Sequence, residues 1–133
     1  MSGNEDVFEY EVNGDILVVI PVRDFMSIRD ADLRDAYNET YRRLTTEDLK
    51  HLVFDFEQLN YFGSTFVGIM IRLAKKTNGN GGTTVLCNLS DEIRSILKQL
   101  MLLENDKTAS FWKRAQTREI AIEWLQTEFE SAG

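Results

Sequence analysis

Residues 52–73 read LVFDFEQLNYFGSTFVGIMIRL. Leu52, Val53 and Phe54 favour extended backbone, and their apolar run closing on Asp55 predicts a strand within LKHLVFDF, residues 49–56. A short loop follows. Gly63-Ser64-Thr65 then precedes FVGIMIRLAKK, which predicts a helix with Ser64 or Thr65 as its N-cap. Lys75 and Lys76 sit where the negative end of the helix dipole favours cations, and Asn78-Gly79 stops the helix. A strand that feeds a helix through a short loop is half of a parallel crossover, so the stretch predicts an α/β fold.

Working outward, Phe8, Tyr10 and Val12 alternate with Glu9 and Glu11, and Asn13-Gly14 is a tight-turn dipeptide. Asp15–Ile20 (DILVVI) returns as a strand apolar on both faces, hence central. The chain therefore opens with a β-hairpin. Ser27–Asp30 (SIRD) reads as a capping box, and Leu33, Ala36, Tyr37, Thr40 and Leu44 recur at helical spacing. After the turn NGNGG come the strand TTVLC (residues 83–87) and a helix capped by Ser90, with Ile93, Ile96, Leu97 and Leu100 on one face. SFWK (residues 110–113) is the expected last strand. Thr117 caps a final helix with Ile120, Ala121, Trp124 and Leu125 on one face. The order ββαβαβα(β)α predicts a single-domain α/β sandwich over residues 7–129: one mixed sheet, helices mainly on one face, and flexible ends at 1–6 and 130–133.

Composition narrows the function. The 133 residues carry 15 basic and 22 acidic side chains, a formal net charge of −7. That balance argues against a general nucleic-acid binder, which must displace counterions from phosphates, and against docking on anionic lipid. No apolar run spans a bilayer, so a soluble cytoplasmic chain is expected. One cysteine, Cys87, forms no internal disulfide, and with His51 as the lone histidine neither a zinc site nor a Cys–His nucleophile pair is expected.

The central stretch resembles the STAS domain, the family of bacterial anti-sigma factor antagonists. Members typically show a strand ending in Asp-Leu-Ser, a short apolar loop, then Asp-Ser-Ser-Gly-Leu-Gly opening a helix. Here Asp55-Phe56-Glu57 ends the strand and Gly63-Ser64-Thr65-Phe66-Val67-Gly68 opens the helix, without gaps. The likeness runs on through the Gly79–Gly82 turn, TTVLCNLS and SDEIRSILKQL, covering roughly residues 7–127. The resemblance implies a phosphoprotein of transcription regulation with no cofactor and no catalysis of its own. Its first motif serine, Ser64 here with Thr65 as second choice, would be phosphorylated by a serine kinase that doubles as anti-sigma factor. A phosphatase would reset it. The implied partner surface takes in Gly63, Ser64, Thr65 and Phe66, with Val67 and Gly68 in the first turns beneath and Asp24 in the adjacent loop. The pattern is departed from in places. Gly63 stands for the usual Asp, Thr65 for the second Ser and Phe66 for a small Gly. Val22-Arg23-Asp24 lacks the glycine common in that loop. An exposed Phe66 would anchor a constitutive interface.

Other readings stand beside this one. The fold would also serve a STAS subunit of a lipid-trafficking or anion-transport assembly, or a ligand-binding STAS domain, with Ser64 a plain cap. Asp55 at a strand end, with Asp24 and Lys113 as helpers, matches a receiver phosphoacceptor; the opening hairpin argues against that, and Asp55 is expected to bond amides in its own turn. NGNGG lacks the Lys-Ser/Thr of a phosphate loop. His51, Cys87, Trp112, Trp124, Phe111, Met70 and Met101 read as structural, and Glu9/Glu11 and Glu128/Glu130 as solvated faces.

Overall fold

A computed structural model describes residues 7–22, 30–59, 61–100 and 111–130. Five strands form one sheet in the order β1-β2-β3-β4-β5: β1 (Phe8–Asn13), β2 (Ile16–Pro21), β3 (His51–Asp55), β4 (Thr84–Cys87) and β5 (Lys113–Ala115). β1 pairs antiparallel with β2, and every later pairing is parallel. The described helices are α1 (Asp30–Thr46), α2 (Ser64–Gly79), α3 (Asp91–Gln99) and α4 (Arg118–Glu130). This is the mixed α/β sheet expected, hairpin first. The turn itself differs: Asn13 faces Ile16 as the last paired residue, and Gly14-Asp15 form the corner. Gly14 alone takes positive φ (64°), which suits the first central position of a II′ turn.

The period of two in each strand divides the core. Leu17, Val19, Leu52, Phe54 and Leu86 face a large cluster covered by α1, α2 and α3. Ile16, Val18, Val53, Val85 and Cys87 face a smaller cluster covered by α4 through Ala121 and Leu125. Three helices thus lie on one face and one on the other. The α2–β4 turn passes so close to the start of β3 that a Cβ on Gly82 would fall 1.7 Å from the Lys50 carbonyl oxygen. Asn80 ties the same corner together, its Nδ2 donating to the carbonyls of Leu44 and Leu49.

Several expectations shift. The last strand is Lys113–Ala115, displaced from SFWK, because Trp112 leaves the sheet direction to fill the large cluster. Ile120 is exposed: Ala121 and Leu125, four apart, set the inward stripe of α4, and Ile120 lies off it. Glu11 is ion-paired to Arg118 and not a plain solvated face. Ser90 caps α3 as expected, its Oγ accepting from the Ile93 amide at 3.1 Å. Thr117 does the same for Ile120 N–H at the start of α4. Ser27, Met101, Ser110 and the terminal segments 1–6 and 131–133 lie outside the described residues.

Candidate functional site

The loop from β3 to α2 is held from both faces of the sheet. On the large-cluster side Phe56, Phe62 and Phe66 pack ring on ring, at 5.1 Å for Phe62–Phe66 and 5.7 Å for Phe56–Phe62, with Phe54 and Phe8 completing the set. Phe66 is 1% exposed. Phe66, expected in the partner surface beside Ser64 and Thr65, therefore lies beneath it, and its ring is not an exposed anchor. Phe66 opens the inward stripe that continues through Ile69, Met70, Leu73, Ala74 and Thr77, so helical spacing turns it into the core. Val67 is buried as well and supports the surface from below.

Ser64 and Thr65 remain outside. Both are exposed, and Gly63 and Gly68 are half-buried with open space where a Cβ would stand. The N-cap is Gly63, in extended backbone (φ −102°, ψ −177°), with no side-chain capping bond. Ser64 is thus the first helical residue and not the cap. Its hydroxyl makes no hydrogen bond among the described residues. Exposed Tyr61 flanks the helix start. Asp24, expected beside this surface, lies outside the described residues.

Across the sheet lies a feature that the sequence reading missed. Asp55 is fully buried. Its Oδ1 accepts from the Glu57 amide (3.0 Å) and Asn88 Nδ2 (2.8 Å), and its Oδ2 from Arg118 Nε (2.6 Å). Arg118 also donates Nη1 to Glu11 (2.6 Å) and Nη2 to Glu57 (2.9 Å). One guanidinium therefore joins β1, the end of β3 and the loop that leads to Ser64. Burial works against its charge, yet the hydrogen bond and charge of Asp55, backed by Glu11, raise its pKa further. The hydrogen bond expected from a backbone amide of its own turn to Asp55 is present, donated by Glu57 N–H. The receiver-like set is not assembled: Lys113 is on exposed edge strand β5 and Arg118 takes the carboxylate. The signal for Arg118 in the sequence was its place just after the Thr117 cap, in the first turn of a helix, where a cation opposes the dipole and so calls for a partner.

The two remaining singletons are structural in placement. His51 is buried, and its Nδ1 accepts from the Thr83 amide at 3.0 Å; burial lowers its pKa. Cys87 is buried in β4, where burial and then the Asp55 charge push the thiol up to about 12. No described helix is long and apolar enough to cross a membrane.

Comparison with known proteins agrees with this geometry. A search of curated protein sequences finds no match. Among solved structures the chain is similar to an anti-sigma-factor antagonist (STAS) domain protein from Planctomyces limnophilus, at 17% identity and TM-score 0.71, covering 89% of this chain and 97% of that one. A similar match is Moorella thermoacetica RsbS carrying a serine-to-glutamate substitution, at 15% identity and TM-score 0.74, covering 92% and 97%. Another is the Bacillus cell fate determinant SpoIIAA in its phosphorylated form, at 18% identity and TM-score 0.65, covering 87% and 96%. At these identities the structures establish the fold. The STAS domain family model matches residues 5–115. With the hairpin-led mixed sheet and the Gly63–Gly68 helix start in place, the chain belongs to the STAS domain family.

Proposed function

We propose that this protein is a regulatory binding module of the anti-sigma factor antagonist type, switched by phosphorylation of Ser64. The observation that carries the reading is the Ser64 hydroxyl, exposed on the first residue of α2 and not occupied in capping it. A kinase can reach such a group. The phosphate would add about −1.5 to −2 charges, at a helix end that favours anions. The fold then survives modification while the displayed surface changes sign. The family likeness supports the same reading, since one of the similar structures is a phosphorylated antagonist and another carries glutamate for a serine. Thr65 offers a second exposed hydroxyl one residue on. The partners implied are a serine kinase acting as anti-sigma factor and a phosphatase, in the cytoplasm. The chain itself acts by binding and not by catalysis.

The test is mass spectrometry on tagged protein recovered from its own cells, reading partners and phosphosites together. Phosphate on Ser64, lost in Ser64→Ala, together with a co-recovered serine kinase is the expected result. An unmodified Ser64 with a transporter ATPase in place of the kinase would overturn the switch.

A further inference from the structure

The outward face of α2 carries a pattern that neither packing nor the helix start requires. Residues 66, 67, 69, 70, 73, 74 and 77 turn inward. Thr65, Gly68, Arg72 and Lys75 follow one another at steps of three and four and so form one ridge. Thr65, Arg72 and Lys75 are exposed, and Gly68 leaves the backbone bare, with nothing within 4 Å of a Cβ position. The ridge is about 15 Å long at the ordinary helical rise.

Its charge is out of keeping with the chain. The protein as a whole carries −7, yet α2 contains Arg72, Lys75 and Lys76 and no acidic residue, whereas α1, α3 and α4 all carry carboxylates. Arg42, Arg43 and Arg118 are each engaged by a carboxylate. Arg72 makes no ion pair among the described residues. Lys75 and Lys76 rest near aromatic rings, Phe111 at 6.0 Å and Tyr41 at 5.2 Å, and neither makes an ion pair among the described residues. A cationic strip on an anionic protein attracts an acidic face while the rest of the surface repels it, which fixes the orientation of docking.

We propose that the Thr65–Gly68–Arg72–Lys75 ridge is the docking surface for an acidic segment of a partner protein. Gly68 permits close approach of the partner backbone and Arg72 and Lys75 meet its carboxylates. The link to regulation rests on the function proposed above. Ser64 begins the same ridge, about 12 Å along the axis from Arg72. That separation exceeds the Debye length of about 8–10 Å at ordinary salt and lies within the length of about 30 Å at about 0.01 M, so the coupling is read at low salt. At low salt a phosphate there offsets much of the ridge's positive charge and adds repulsion against the acidic partner.

The test uses the full-length protein, isotope-labelled, titrated with poly-L-glutamate at low salt and followed by backbone amide shifts. Shifts concentrated at Thr65, Gly68, Arg72 and Lys75, reversed by salt, are expected. The double variant Arg72→Glu/Lys75→Glu, whose side chains are exposed and whose fold is checked by circular dichroism, should bind at least about fivefold more weakly. Shifts spread evenly over Arg34, Arg94, Lys98 and Lys113, or no shifts at all, would overturn the ridge. An equal or stronger response to phosphatidylserine vesicles would overturn the protein partner. Ser64→Glu separates the two proposals. Weaker glutamate binding supports the coupled switch, whereas unchanged binding keeps the ridge and refutes its control from Ser64.

Discussion

Replacing Arg118 by Ala tests the junction behind the candidate site. Three carboxylates meet this guanidinium, but their burial differs: side-chain exposure is 0% for Asp55, 41% for Glu11 and 52% for Glu57. Removing one partner of a buried pair costs about 3–5 kcal/mol, because the other charge is left without compensation. Arg118 is itself 22% exposed, and Asp55 retains Asn88 and the Glu57 amide, so the lower end applies, about 3 kcal/mol. The outer pairs are solvent-screened, and Glu11→Gln or Glu57→Gln should each cost at most about 1 kcal/mol. Urea denaturation followed at once by far-ultraviolet circular dichroism and by tryptophan fluorescence measures these values. Asp55→Ala and the double variant complete a cycle that isolates the coupling. The reasoning fails if Arg118→Ala costs less than Glu57→Gln, or if the Asp55–Arg118 coupling is near zero.

Phe66→Ala should destabilise the protein by about 3–5 kcal/mol, as for other buried aromatic deletions, whereas an interface role alone would leave the urea midpoint unmoved. Gly82→Ala should yield little folded protein by circular dichroism, since backbone lies where its Cβ must go; a wild-type melting curve would contradict the close approach. Gly63→Asp should be accepted, because the backbone there is extended and open, and should add a few tenths of a kcal/mol as a cap. A lower melting temperature would refute that. His51 is buried with its pKa held below the usual 6.5, so the unfolded chain binds the extra proton first. Its contribution is full above that value and is lost as pH falls through the depressed folded value. Urea midpoints of wild type and His51→Gln should converge on acidification from pH 7.

Strand periodicity and the turn residues made the sheet and its hairpin legible, since alternation decides both faces of β1 and β2. Local signals worked where one residue acts on its neighbours, as Ser90 and Thr117 do at their helix starts. They failed where packing chose among local options. Gly63 became the N-cap because Phe66 had to enter the aromatic set, which fixes the helix register and leaves Ser64 as the first helical residue. Phe111 and Trp112, expected in the last strand, instead pack into and against the large cluster ahead of it. Arg118 and Asp55 are 63 positions apart, and no local pattern brings such a pair together. Their junction follows only once β3 and the start of α4 are placed on the same face.

The departures at the helix start have different physical meanings. Phe66 is a change of the interior: its ring takes space against Phe54, Phe56 and Phe62 and adds support to the loop without reaching the surface. Thr65 conserves an exposed hydroxyl. Gly63 removes a carboxylate from the display while keeping an extended backbone that aspartate adopts equally well. The aromatic set, Phe66 included, on one face and the Arg118 junction on the other hold the loop independently of Gly63 and Thr65. The frame that presents Ser64 is therefore intact, and what differs at Gly63 is the charge displayed beside it. Near a ridge that bears Arg72 and Lys75, a missing carboxylate makes the unmodified surface more positive. A phosphate on Ser64, as proposed, would then turn a positive surface negative instead of adding to one already offset by a carboxylate, so the substitution at Gly63 and the cations of α2 would act in the same direction.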